Sequence, residues 1–209
     1  MSRFGPDPRA FFDGVYREVA PWDIGGPQPD MVELLAALPP SSPVLDVGCG
    51  SGDLAIHIAK SGVAVLGIDF VEAAIELARA KAAALTPEVA ARLEFRVADA
   101  FRLRDLQREF GAVVDSGFLH LLTPEEGDRF LEEAARVLRS GGRYYLQEFA
   151  TEFDVPNTPR AISEQEVRER FTPVRGWRIL AVRPGEFQSR IAPVPAIVAC
   201  AERLPAASD

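Results

Sequence analysis

The chain has 209 residues, 47% of them apolar, enough for one domain with a full core. Its formal net charge of -8 argues against nucleic acid and against an anionic membrane surface as partners. Its two cysteines, Cys49 and Cys200, form neither a disulfide framework nor a zinc pattern, so no metal is expected. No run approaches the roughly 20 apolar residues of a membrane span. Residues 1–9 lack a signal-peptide core, so a cytoplasmic protein, monomer or homodimer, is expected.

In chain order, apolar residues at helical spacing predict an amphipathic helix over Asp7–Ala20. The segment from Pro21 to Pro29 breaks all periodicity and reads as a Gly/Pro loop carrying Trp22. A helix over Asp30–Leu38 follows, with Asp30 as its N-cap. From Pro43 the pattern alternates. Strands are expected at Val44–Val47, Val63–Ile68, Leu93–Val97, Ala112–Asp115 and Arg143–Phe149, and helices at Asp53–Ser61, Val71–Leu85 and Pro124–Leu138. The last helix has Thr123 as N-cap and a stop at Ser140-Gly141-Gly142. Strands joined by helices imply a parallel sheet with right-handed crossovers.

The tail differs. Ser163–Arg170 reads as a helix, with Glu166 placed to complete a capping box. Two apolar runs without an intervening helix, Trp177–Val182 and Ala196–Ala201, predict an antiparallel hairpin. The arginines at 160, 168, 170, 175 and 178 read as surface partners of Glu164, Glu166 and Glu169, and Leu204–Asp209 as a frayed end. The expected whole is a doubly wound α/β domain over 1–209. It comprises an N-terminal helical cap (1–40), a ligand-binding core (43–150) and a C-terminal helix and hairpin (151–203).

The chemistry concentrates in Leu45-Asp46-Val47-Gly48-Cys49-Gly50-Ser51-Gly52. An apolar strand ends, three glycines turn the chain without a Cβ penalty, and a helix begins. Such a loop suits a nucleotide-like ligand at a helix N-terminus. A dinucleotide site would place its third glycine where this chain has Asp53. Asp46 on the strand repels a pyrophosphate and suits a cationic group. Asp69 ends the second strand, where a carboxylate can accept two hydrogen bonds from ribose hydroxyls; its plainer role is an N-cap for the helix from Val71. Phe70, beside it, could pack on a base.

That loop resembles the first motif of the class I S-adenosylmethionine-dependent methyltransferases, and the order of elements is similar to their seven-stranded sheet with its terminal antiparallel hairpin. The resemblance implies S-adenosylmethionine as cofactor, cradled by Gly48, Gly50, Ser51 and Gly52. It implies that Asp99 accepts from the adenine amino group and that the backbone of Ala100 contacts the ring. It also implies that Asp115 and Ser116, at the end of the fourth strand, lie against the methionine part. The plainer reading of Asp99 is a solvated loop acid, and Asp115 also reads as a buried structural residue.

Pro21-Trp22-Asp23-Ile24-Gly25 resembles the lead-in of small-molecule methyltransferases of the thiopurine and thiol/halide types, and more so that of bacterial enzymes acting on hydroxyls of quinolone-type toxins. In those families the Trp borders the cofactor, which implies a lid with Trp22 at the cofactor and Phe12 and Tyr16 on the acceptor side. The plainer role of Trp22 is to staple the first helix to the sheet. Of two histidines, His57 lies within a helix among apolar residues. His120 follows the fourth strand, where a neutral imidazole could take a proton from an acceptor, with Phe118 near it; it could equally be structural. Gln147-Glu148-Phe149 ends the fifth strand and could reach the acceptor.

The expected activity is therefore methyl transfer to a hydroxyl, thiol or ring nitrogen of a small, aromatic or heterocyclic molecule, with His120 and Asp115 as catalytic candidates. The alternatives are a thiol/halide-type enzyme, a protein or nucleic-acid methyltransferase, a non-catalytic S-adenosylmethionine-binding protein and an NAD-dependent oxidoreductase.

Overall fold

The computed structural model describes residues 4–205, so most of the tail expected to fray lies outside the described residues. The helices are α1 (Pro8–Val15), α2 (Pro29–Ala37), α3 (Asp53–Lys60), α4 (Glu72–Ala83), α5 (Pro87–Ala90), α6 (Pro124–Val137) and α7 (Glu164–Arg170). The strands are β1 (Val44–Val47), β2 (Val65–Asp69), β3 (Leu93–Val97), β4 (Phe110–Ser116), β5 (Leu138–Phe149), β6 (Trp177–Phe187) and β7 (Val194–Arg203). The seven strands form one sheet in the order β3-β2-β1-β4-β5-β7-β6, and β7 alone runs against its neighbours.

Local chemistry explains most boundaries. Thr123 and Glu126 form a full capping box on α6, which fixes where that helix starts. On α7 only half the box forms: Ser163 Oγ accepts the Glu166 N–H, but the Glu166 carboxylate is taken by Arg160 and Arg170. The first helix stops at Val15, short of the expected Ala20, because the chain tightens there and Tyr16 turns inward to the glycine loop. Pro29 takes the first position of α2 and Gln28 the cap position. Asp30, expected as the cap, instead accepts the Glu186 N–H at 2.6 Å and pairs with Arg183.

The terminal hairpin is longer than its apolar runs. Pro184 would end a central strand, yet β6 is the sheet edge, where a missing donor faces outward. Short 3-10 turns at Ala100–Leu106, Leu119–Leu121 and Pro173–Arg175, like α5, leave no periodicity to find.

Two cores flank the sheet. One gathers Phe130 and Leu131 of α6, Val167 of α7, Tyr144 and Trp177. The other gathers Met31, Leu34 and Leu35 of α2 with α3, Ile75 of α4, Phe95 and Tyr145. Helix α2 is thus a layer of the core, not part of the cap. The cap proper is a third cluster, in which Phe4 and Phe12 pack on Val71 and Ala74, beside Tyr16, Trp22 and Phe70.

Candidate active site

The strand order reverses between β1 and β4, and there the carboxyl ends of the strands open into a cavity of about 890 Å³. Of the residues singled out from the sequence, Phe12, Tyr16, Trp22, Asp46, Gly48, Gly50, Ser51, Asp69, Phe70, Asp99, Ala100, Ser116, Phe118 and His120 line it. Gly52 and Asp115 do not line it.

At one end lies the glycine loop. Gly52 (φ +84°) serves packing: a Cβ there would sit 2.8 Å from the Phe95 ring and 2.9 Å from Ala78. A Cβ on Gly50 (φ +52°) would meet the Tyr16 hydroxyl at 2.7 Å. Gly52 caps α3 without a side chain, so Asp46 supplies the missing cap from the strand by accepting the Ala55 N–H. Its second oxygen, Oδ2, is buried without a partner. Burial, with Asp115 and Asp69 nearby, holds the Asp46 carboxyl well above the usual range.

Asp69 does both things read from its position. Oδ1 accepts from Val71 N at 2.9 Å, and Oδ2 accepts from Gly50 N at 3.1 Å, tying the loop to β2. Each oxygen keeps a lone pair for a ligand. Burial raises Asp69 to about 6, against those backbone donors. Asp99 caps the following 3-10 turn through the Phe101 N–H at 2.8 Å.

The cap crosses this end. Trp22 hydrogen-bonds Tyr16, so Tyr16, assigned to the acceptor side from its sequence, stands at the glycine loop instead. Phe12 packs edge-on to Phe70, with ring centroids 6.0 Å apart. Asp23 Oδ2 accepts from Ser51 Oγ at 2.9 Å, and Lys81 of α4 joins Ser51 (2.8 Å) and Asp53 (2.7 Å), with Asp23 at 3.6 Å. These contacts tie the Trp22 segment to the glycine loop. Lys81 carries no motif and was not legible in the sequence.

The other end is apolar, lined by Phe118, Phe149, Phe153, Phe187 and Ile191. His120 lies in it, 3% exposed, stacked on Phe149 at 4.5 Å. Burial pushes its imidazole down to about 3, so the ring is neutral near pH 7. Its Nδ1 is 2.8 Å from Glu148 Oε2 and also receives the Phe149 N–H at 3.2 Å. No hydrogen bond of Nε2 is formed among the described residues. Glu148 accepts the amides of Leu119 and His120, each at 3.2 Å.

Asp115 was read as catalytic and cofactor-binding. Its carboxyl is fully buried behind the cavity wall, accepting from Phe118 N (2.8 Å) and Tyr144 Oη (2.6 Å) and hydrogen-bonded to Glu148. Burial and the facing Glu148 raise it far enough to hold the proton between the two carboxyls. Its side chain faces Glu148 and does not line the cavity. Two arginines taken for surface pairs are buried: Arg160 and Arg170 both bind Glu166. Arg160 also donates to Leu122 O and its amide to His120 O, which clamps the turn that carries the histidine.

Comparison with known proteins agrees with this architecture. Residues 44–142 match the family described as "Methyltransferase domain". The 2-heptyl-1-hydroxyquinolin-4(1H)-one methyltransferase of Mycobacteroides abscessus is 31% identical over 170 residues, 76% of this chain and 73% of that protein. A ubiquinone/menaquinone biosynthesis C-methyltransferase of Geotalea daltonii is 34% identical over 54% of this chain, which spans less than half (47%) of that relative. A structure described as "Conversion of a Disulfide Bond into a Thioacetal Group during Echinomycin Biosynthesis" superposes with a TM-score of 0.80 at 29% identity, covering 94% of this chain and 93% of that one.

The chain belongs to the class I S-adenosylmethionine-dependent methyltransferases. Within that class it is an enzyme that methylates small molecules. The site suits the cofactor: a glycine loop open to the cavity, acids at three successive strand ends, and a buried Asp46 oxygen left for a donor. No helix among the described residues is long and apolar enough to cross a membrane, and no cluster of metal-binding side chains occurs among them.

Proposed function

We propose that the protein transfers the methyl group to a hydroxyl of a flat, apolar heteroaromatic molecule of the hydroxyquinolone type. The observation that carries this reading is His120: a neutral imidazole whose Nε2 has no hydrogen-bond partner among the described residues, set in an aromatic wall at the cavity's apolar end. The M. abscessus relative, named for a hydroxylated quinolone, supports the acceptor class.

Bound S-adenosylmethionine supplies a methyl group already activated by the sulfonium charge. The chain's own task is to bind, align and exclude water. In this reading Asp69 receives the ribose hydroxyls, and Asp99 and the Ala100 backbone receive the adenine, with Phe70 against the ring. Gly48, Gly50 and Ser51 cradle the amino-acid portion beside Asp46 and Ser116, and Trp22 and Tyr16 close over it. Phe118, Phe149 and Phe187 hold the acceptor ring. When the acceptor hydroxyl is methylated, its proton would pass to His120 Nε2.

The test is transfer of labelled methyl to 2-heptyl-1-hydroxyquinolin-4(1H)-one, with a phenol, a thiol and iodide run in parallel. Preferred turnover of the hydroxyquinolone or phenol is expected. Preference for the thiol or iodide overturns the acceptor class.

A further inference from the structure

The buried carboxylate behind the histidine carries a second consequence. Nδ1 of His120 has two opposed neighbours. The Phe149 N–H, at 3.2 Å, requires a lone pair there. Glu148 Oε2, at 2.8 Å, requires a proton there when it is ionised, and supplies one when it is not. A neutral imidazole carries one N–H, so whichever form Nδ1 takes, Nε2 takes the other.

We propose that Glu148 is a positioning residue that sets the tautomer of His120 and so switches the group facing the acceptor. Ionised, Glu148 accepts Nδ1–H and leaves the Nε2 lone pair as a base. Protonated, it shares with the Phe149 amide the single lone pair of Nδ1, and leaves Nε2–H in the cavity, where it cannot take a proton. The change moves one proton onto Glu148 and one between the ring nitrogens; the ring stays neutral throughout.

The surroundings support a switch and not a fixed pair. Glu148 is fully buried. Asp115 of β4 faces it with a hydrogen bond, Tyr144 of its own strand binds Asp115, His120 faces it from the 3-10 turn, and Arg160 stands nearby on the segment before α7. Burial pushes Glu148 up to about 7, opposed by Asp115, the Leu119 and His120 amides and Arg160. The ring itself stays neutral well below that. The two tautomers therefore exchange near neutral pH.

This inference rests on His120 as the base only for its catalytic consequence; the tautomer is measured without turnover. The chain has two histidines, so ¹⁵N-histidine spectra of the full-length protein are assigned with one His120→Ala sample. The expected result is a neutral His120 whose protonated nitrogen changes from Nε2 to Nδ1 as pH rises through about 7, and a Glu148→Gln protein in which that change is gone. With the hydroxyquinolone as acceptor, wild-type kcat falls up to tenfold per unit below that midpoint, and Glu148→Gln loses the step. One tautomer persisting from pH 5 to 9 in the wild type overturns the proposal, as does a step that survives in Glu148→Gln. A tautomer change with unaltered kcat in His120→Ala leaves the positioning intact and removes the base reading instead.

Discussion

The two ends of the cavity are built on different plans. The proposed cofactor end comes from near neighbours in sequence: Asp46 to Asp53 run through the end of β1, the glycine loop and the start of α3, and Asp69 and Asp99 follow at the ends of the next two strands. Its polar groups are mostly held by backbone amides, such as Gly50, Val71 and Phe101. The acceptor end joins His120 to Glu148 and Asp115 to Tyr144, partners 28 and 29 residues apart, within an aromatic wall. In the proposed reading, one end recognises a fixed molecule through the main chain. The other shapes an apolar space and places one proton acceptor in it.

The contrast yields an ordered set of expectations. His120→Ala should lower kcat by about 10²-fold, the low end of the range for a lost general base because the burial that keeps the ring neutral also weakens it as a base, while affinity for S-adenosylhomocysteine stays within about twofold. A kcat unaffected by the change would deny the acceptor end its base. Asp69→Ala should do the reverse. Losing hydrogen bonds to a charged group, about 1.5–3 kcal/mol, weakens calorimetric affinity by roughly ten- to a hundredfold.

The pH dependence of that affinity has a definite sign. Ribose hydroxyls favour the ionised form of Asp69, whose pKa in the free protein is about 6. Binding therefore strengthens as pH rises through about 6 and weakens below it. A flat profile from pH 5 to 7 would separate Asp69 from the ligand. The smallest effect is expected at the seam. Lys81→Ala removes partly exposed ion pairs worth up to about 1 kcal/mol, so release of S-adenosylhomocysteine in stopped flow should speed up by at most about fivefold. No change would mean that the Ser51–Asp23 hydrogen bond and the aromatic contacts hold the segment without Lys81.

The same contrast explains what the sequence made legible. The sheet, the glycine loop, Asp69 and Asp99 could be read because strand, turn and helix follow one another with local signals. That the Tyr16 hydroxyl reaches the glycine loop depends on how α1 packs across the sheet, which periodicity does not reveal. Glu148 was noticed only as a strand-end residue. Nothing nearby in sequence shows that it meets His120, since that pairing is made across adjacent strands and a 3-10 turn. Arg160 and Arg170 carried the composition of a solvated face and are buried through Glu166.

Asp46 ties folding to ligand. Helix α3 begins at a glycine that offers no cap, and Asp46 caps it with one oxygen while the other stands buried and unsatisfied. In the proposed reading, a substitution there would loosen the ligand and the helix together. Conversely, a donor reaching Oδ2 would relieve a buried polar atom at the start of α3, and that gain would enter the ligand's affinity and, through it, the melting temperature of the occupied protein.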